Sequence, residues 1–176
     1  VNVLVQSSTY ETEEELRQLL RRRAADLLII RSLHFLELGR EQALLEPKFM
    51  AETGDGASQR YCLLTRRAPH LSLSDLRGRK INILTAGGAS LGRTWLAELL
   101  REHDLGPARD FCAAAEDVTS PSAAILPVYF GKADACVVEA SRFAVMQELN
   151  PQLGQALEVC ETSPAYLESV ICIRRD

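Results

Sequence analysis

The stretch TAGGASLGRT, residues 85–94, carries the residue types and spacing with the most evident chemistry. Counted from Gly87, it has the spacing of a Walker A phosphate loop, with glycine at Gly92 and threonine at Thr94, but Arg93 stands where that motif has lysine. The planar fork of a guanidinium does not simply replace the compact ammonium that reaches a nucleotide's terminal phosphates. The stretch therefore favours holding an anion over hydrolysing a nucleotide.

The same stretch begins a predicted helix, which gives it a way to hold an anion. The first amides of a helix lack partners within the helix, and the helix dipole adds partial positive charge there. We expect Gly87 and Gly88 to let the backbone approach a ligand, and Ala89 and Ser90 to donate amide hydrogen bonds, with the Ser90 hydroxyl adding another. The alternative is that the glycines only form a tight turn and Ser90 only caps the helix.

Polar residues also follow two other predicted strands, where ligands of open α/β sheets commonly bind. After DLLII, a loop is expected to present Arg31, Ser32 and His34, and the histidine could titrate near neutral pH or instead pack on its neighbour. After FCAAAEDV, hydroxyl groups at Ser120 and Ser122 begin another helix, and capping alone would explain them.

Composition excludes several classes of function. The chain has 176 residues, 20 basic against 24 acidic side chains and a net charge of −4, with its arginines scattered, so nucleic acid is not an expected partner. No apolar run approaches the roughly 20 residues that span a bilayer. The chain opens on VNVLV without a charged and cleavable leader, which leaves open whether a signal peptide was removed. The five cysteines lack C-x-x-C spacing and are expected to be buried, inert thiols.

Motifs for catalysis are not recognised in the sequence. Glu116 and Asp117 are adjacent, so in a strand their carboxylates point to opposite faces and cannot act as an acid/base pair. No nucleophile elbow, paired cysteine and base, or set of metal ligands is evident. We therefore expect a protein that is not an enzyme and that uses no cofactor and no metal.

Strand and helix patterns alternate along the chain. VNVLVQ, a capped helix near residues 12–20, and DLLII suggest a β-α-β unit, whereas residues 47–58 read as loop. From Lys80 onward the pattern restarts with strands KINILT, FCAAAEDV, ACVVEA and ALEVCET, separated by helical segments. This alternation predicts an α/β fold with parallel, helix-covered sheets.

Two strands share a pattern of apolar residues followed by paired arginines. RYCLLTRR enters the segment that begins near Lys80, and SVICIRRD leaves it, so we predict that they form a paired hinge between two lobes. The predicted domains are a partial first lobe over residues 1–67, a second lobe over 68–165, and a return hinge strand over 166–176.

Two longer segments of the sequence are SLSDLRGRKINILTAGGASLG and TSPSAAILPVYFGKADACVVEAS. Both resemble segments of type II periplasmic solute-binding proteins, in particular the phosphonate-binding family of ABC transporters. The resemblance implies a two-lobed fold, with a small-residue turn whose helix start grips phosphonate oxygens. It also implies that Glu139, with Ser141 beside it, faces a ligand's amino end; the alternative is that Glu139 only starts the following helix. Separately from the resemblance, Tyr10 lies just past the first predicted strand and is a candidate aromatic wall for the ligand.

The chain also departs from that family. The family begins with a further strand and helix before VNVLV and continues past SVICIRRD into helices, so this chain is similar to a fragment of it. Ala89 and Leu91 stand where the family's turn has hydroxyl groups, and RSLHF at residues 31–35 replaces a Gly-Pro-x-Ser-Tyr stretch. Ligand identity is therefore not carried over.

Three functions follow as hypotheses. The first is a periplasmic or otherwise extracytoplasmic binding protein, lipid-anchored or secreted, which closes on a small oxyanion or zwitterion and delivers it to a transporter permease as a monomer or weak dimer. The second is the extracytoplasmic sensing domain of a sensor kinase, and the third is a cytoplasmic enzyme of similar fold. Transmembrane or kinase segments in a longer gene would separate the first two, and demonstrated turnover would support the third.

Overall fold

A computed structural model describes residues 6–50, 58–85 and 90–175, and the chain divides into two compact units. Unit 1 comprises Val1–Ala51 with Glu168–Asp176, and unit 2 comprises Glu52–Leu167. The chain therefore passes between the units twice. The second passage lies between Leu167 and Glu168, close to residue 166, where the return hinge strand was predicted to begin. The first passage lies between Ala51 and Glu52, whereas the first lobe was predicted to extend to residue 67.

The described helices and strands alternate along much of the chain. The helices are α1 Glu13–Arg21, α2 Ser32–Glu37, α3 Leu91–Glu102, α4 Ala108–Phe111, α5 Pro121–Tyr129, α6 Ala140–Leu149 and α7 Pro151–Ala156. The strands are β1 Leu27–Arg31, β2 Leu45–Met50, β3 Ser58–Gln59, β4 Tyr61–Arg66, β5 Lys80–Leu84, β6 Ala114–Val118, β7 Ala135–Glu139, β8 Leu157–Thr162, β9 Tyr166–Leu167 and β10 Ser169–Arg174. Short 3-10 helices span Gly39–Leu44 and Ser74–Leu76.

Helix α1 begins as the sequence predicts. Thr12 and Glu15 form a capping box, in which the Glu15 amide donates to the Thr12 hydroxyl at 3.2 Å and the Thr12 amide donates to the Glu15 carboxylate at 3.4 Å. Leu16 and Leu20 are buried one turn apart against β1 and β10. The strand predicted before this helix falls on residues 1–5, which lie outside the described residues.

The described sheet of unit 1 has the order β1-β10-β2, and both pairings are antiparallel, so the predicted parallel arrangement does not apply to these strands. Residues 47–50, predicted as loop, belong to β2. Pro47 is compatible with this strand because β2 is at the edge of the described sheet, and a register shift between Ile171 and Cys172 accommodates it.

Unit 2 contains a five-stranded sheet with the order β6-β5-β7-β4-β8. Strands β6, β5 and β7 run parallel, and β4 runs antiparallel to both β7 and β8. Four strands therefore share one direction, which confirms the largely parallel sheet predicted for this region. A small β3–β9 ladder lies in the same unit.

Both faces of this sheet are covered by apolar side chains. Ile81 and Ile83 of β5 pack on the α3 side, and Leu84 packs on the α5 side, as alternation along a strand requires. The predicted apolar stripe of α3 faces the sheet through Trp95, Leu96, Leu99 and Leu100.

The two strands that end in paired arginines lie in different sheets. Strand β4 pairs with β7 and β8, and β10 pairs with β1 and β2, instead of the two pairing with each other. Tyr61 to Thr65 of β4 are all buried, so this run needs apolar cover on both faces, which an interior position in the unit 2 sheet provides.

The cysteines behave as the sequence predicts. All five are free, and four are buried while Cys160 is half-buried. Burial raises the pKa of the Cys62 thiol to about 12, with the Glu139 carboxylate as a smaller cause. Burial also raises the pKa of Cys160 to about 11, so both thiols stay protonated and unreactive near neutral pH.

Candidate ligand-binding site

Polar residues gather at one edge of the unit 2 sheet, which we call the carboxyl edge. Strands β5, β6 and β7 are parallel and end there, and helices α3, α5 and α6 each begin shortly after one of these strands. Strand β4 runs the other way, so its first residue, Tyr61, lies opposite Glu139 at the end of β7. The topology therefore brings three helix amino ends to a single edge.

Ser90 caps helix α3 at this edge. Its hydroxyl accepts a hydrogen bond from the Gly92 amide at 3.1 Å and donates one to the Leu84 carbonyl at 3.0 Å. The helix start is thereby tied directly to the last residue of β5. The three residues predicted with Ser90, namely Gly87, Gly88 and Ala89, lie outside the described residues.

Ser120 has the equivalent position on α5. Its hydroxyl accepts from the Ala123 amide at 3.2 Å, and Pro121 occupies the first turn, as predicted for this helix start. Ser122 is exposed in that first turn. The capping role of Ser120 is thus observed, and ligand contact by either serine stays a prediction.

Glu139 and Ser141 lie where β7 passes into α6. The Glu139 side chain is 15% exposed and lies 3.8 Å from the Arg142 guanidinium. Ser141 is half-buried in the first turn, and the amide before it, that of Ala140, donates to the Arg60 carbonyl at 2.8 Å. A carboxylate is therefore held beside the helix starts of the carboxyl edge, where its ligand role stays a prediction.

Thr85 is a candidate that the sequence reasoning missed. It is buried, follows β5 directly, and its amide donates to the Val118 carbonyl at the end of β6 at 2.8 Å. The available signal was its position as the first polar residue after the KINIL strand, shortly before Gly87 and Gly88 in the sequence.

Tyr61 and Ser163 were also missed, because only tertiary pairing brings them to the carboxyl edge. The Tyr61 amide donates to the Ser163 hydroxyl at 2.8 Å, and the Ser163 amide donates to the Tyr61 carbonyl at the same distance. Tyr61 is 8% exposed, and its ring centroid lies 6.4 Å from that of Tyr166. Ser163 therefore fixes the start of β4, and with it the tyrosine ring.

Arg93 does not take the place of a Walker lysine. Its guanidinium donates to the Asp117 carboxylate at 2.5 and 3.1 Å and to the Ala115 carbonyl at 3.3 Å, all on β6. Glu116 pairs instead with Lys80 at 2.8 Å. The two adjacent carboxylates thus have separate cationic partners, as expected for opposite faces of a strand.

The remaining predicted residues belong to unit 1, whereas the residues of the carboxyl edge belong to unit 2. The prediction of a loop after β1 is wrong, because α2 begins directly at Ser32. His34 lies within this helix and is only 6% exposed. Leu38, one helical turn after His34, is fully buried in the unit 1 core. Arg31 ends β1, and Tyr10 donates to the Ile29 carbonyl at 3.4 Å, with its ring centroid 6.2 Å from that of His34.

Within residues 6–50, 58–85 and 90–175, no three histidine, cysteine, aspartate or glutamate side chains are grouped to hold a metal ion. The helices in these ranges include none with the length and apolar character needed to cross a bilayer.

Comparison with known proteins gives a family for the sequence and similar solved structures for the fold. The family described as "ABC transporter, phosphonate, periplasmic substrate-binding protein" matches residues 1–176. No curated protein matches significantly.

Solved structures share the fold at low sequence identity. XAC2383 from Xanthomonas citri bound to ATP is 20% identical, with a TM-score of 0.70 over 93% of this chain and 62% of that chain. PhnD1 from Prochlorococcus marinus in complex with methylphosphonate is 16% identical, with a TM-score of 0.63 over 92% and 61%. The periplasmic aliphatic sulphonate binding protein SsuA from Escherichia coli is 14% identical, with a TM-score of 0.61 over 94% and 53%. The chain thus spans about three fifths of the first two structures and half of the third.

Proposed function

The chain belongs to the family of periplasmic substrate-binding proteins of phosphonate ABC transporters, and because of this membership we propose that its carboxyl edge binds a small ligand with a tetrahedral oxyanion group. The family serves transport rather than catalysis. We further propose that the protein acts in the periplasm and passes its ligand to a transporter permease.

The convergence of helix starts at the carboxyl edge supports this proposal most directly. Helices α3, α5 and α6 have 12, 9 and 10 residues, long enough for each to place partial positive charge at its start, where the first amides have no partner within the helix. The Ser90 and Ser120 hydroxyls cap two of these starts and hold their first turns in place. Such an arrangement favours an anion that can accept several hydrogen bonds at once.

The ligands named for the similar structures support the same chemical class. Methylphosphonate, aliphatic sulphonates and the phosphates of ATP all present tetrahedral groups with anionic oxygens. Their remaining parts differ widely, so the shared group defines the proposed recognition. Glu139 at the same edge extends the proposal to ligands that also carry a cationic or hydrogen-bond-donating group, which the carboxylate would accept.

A thermal-shift panel tests the proposed ligand class. Methylphosphonate, phosphate, sulfate and methanesulfonate are each added to the unliganded chain, with chloride at matched ionic strength as the control. Because a ligand that binds only the folded state stabilises it by mass action, a concentration of 100 times Kd adds about 2.7 kcal/mol, equivalent to a rise in Tm of roughly 5–10 °C. If no oxyanion exceeds the chloride control, the proposed function is wrong.

A further inference from the structure

An arginine in the first turn of α3 is electrostatically unusual. Arg93 lies three residues after the Ser90 cap, and the first turn of α3 contains no acidic residue. A cation near the positive end of a helix dipole is unfavourable unless a nearby anion compensates it. Asp117 on β6 provides this compensation, with its carboxylate 2.5 Å from the guanidinium.

Asp117 lies close to the carboxyl edge, where its charge matters for an anion. It is the next-to-last residue of β6 and is opposite Ile83 of β5, whose neighbour Leu84 accepts the Ser90 hydroxyl. Strand spacing therefore puts the carboxylate within roughly 10 Å of the Ser90 cap. At this separation an uncompensated carboxylate would repel an anion held at the helix start.

We propose that Arg93 is a positioning residue that neutralises Asp117 and thereby keeps the carboxyl edge favourable for an anion. The inference rests on the proposed function, and it gives Arg93 a role through another side chain rather than by touching the ligand. The bond from Arg93 to the Ala115 carbonyl at 3.3 Å also ties the first turn of α3 to β6.

The size of the expected effect follows from the exposure of the pair. The Arg93 and Asp117 side chains are 41% and 51% exposed, so water and salt screen their charges in part. Removing the guanidinium should therefore weaken anion binding severalfold rather than abolish it.

Calorimetric titration with methylphosphonate at low ionic strength tests the inference in four proteins: the wild type, Arg93→Ala, Asp117→Asn and the double variant. We expect Kd for Arg93→Ala to be about three to ten times higher than for the wild type. The double variant should return to within about twofold of the wild type, because its carboxylate has been removed together with the guanidinium. The loss in Arg93→Ala should shrink near 0.5 M salt, roughly as screening shortens the range of the charge.

Arg101→Ala is the matched control. Arg101 lies on the same helix but in its last turn, where it pairs with Glu98 at 2.5 Å, so its removal should leave Kd unchanged. Unchanged binding in Arg93→Ala, or a loss that the double variant does not restore, would overturn the role assigned to Arg93. Failure of the folded wild type to bind methylphosphonate or phosphate would instead overturn the proposed function, and this inference with it.

Discussion

Replacing Ser90 with alanine is expected to raise Kd for methylphosphonate about tenfold and to lower the free energy of unfolding by about 1 kcal/mol. The Ser90 hydroxyl bonds to the Gly92 amide and to the Leu84 carbonyl, so its loss releases the first turn of α3 from β5. The amides of that turn would then no longer be held in place for an anion. Titration calorimetry measures the first effect, and urea unfolding measures the second.

Asn150→Ala is the control that separates the loss of affinity from the loss of stability expected for Ser90→Ala. Asn150 caps α7 in the same unit, where its side chain accepts from the Gln152 amide at 3.2 Å, and the ten-residue α6 separates it from the carboxyl edge. We expect this variant to lose similar stability but no affinity. Equal affinities for Ser90→Ala and Asn150→Ala would show that the start of α3 does not hold the ligand.

Replacing Gly92 with alanine is expected to lower the free energy of unfolding by about 1–3 kcal/mol, equivalent to a fall in Tm of roughly 3–10 °C. A Cβ atom at this position would lie 2.9 Å from Tyr61 Cδ1 and 3.0 Å from Val137 Cγ1, both on buried side chains of the unit 2 sheet. Either α3 or the Tyr61 ring must move, and the moved helix start should also bind methylphosphonate more weakly.

Gly154→Ala is the control for this substitution. Gly154 lies in α7, and an added Cβ atom there would meet the flexible end of Gln147, whose amide nitrogen would be 2.8 Å away and can move aside. Because alanine favours helix over glycine by roughly 1 kcal/mol, this variant should match or exceed the wild type in stability. Thermal unfolding of both variants is the measurement, and equal stability of Gly92→Ala and the wild type would contradict the close packing of α3.

The second glycine of the Walker-like spacing thus has a packing role. Gly92 lets α3 approach β4 and β7, and Arg93 pairs with Asp117, so the residues that resemble a nucleotide-binding motif have other partners. Sequence spacing alone could not show this, because the partners come from strands distant along the chain.

Local signals in the sequence predicted much of the fold. The capping box of α1, the apolar stripe of α3 and the strands of the five-stranded unit 2 sheet depend on residues a few positions apart, and the structure has them close to where they were predicted. The short elements α4, β3 and β9 of unit 2 were not predicted. Pro47 shows how tertiary position overrides a local signal, since an edge strand accommodates a proline that favours a loop.

The candidate site was predictable only in part. Ser90 and Ser120 follow strands and begin helices, which the sequence shows, whereas the approach of Tyr61 to Glu139 depends on the antiparallel placement of β4. His34 was misplaced because a loop was expected where α2 begins, and the apolar residues around it bury the ring.

Titration of the ¹⁵N-labelled chain with methylphosphonate, followed by amide chemical shifts, tests most directly whether the carboxyl edge holds the oxyanion. We predict that the largest saturable changes occur at the starts of α3 and α5, at the amides of Ser90, Leu91, Ser120 and Ser122, because an anion held there would lie next to these donors. Saturable binding whose largest changes lie in α1, β1 or β2, or no saturable change at any amide, would contradict it.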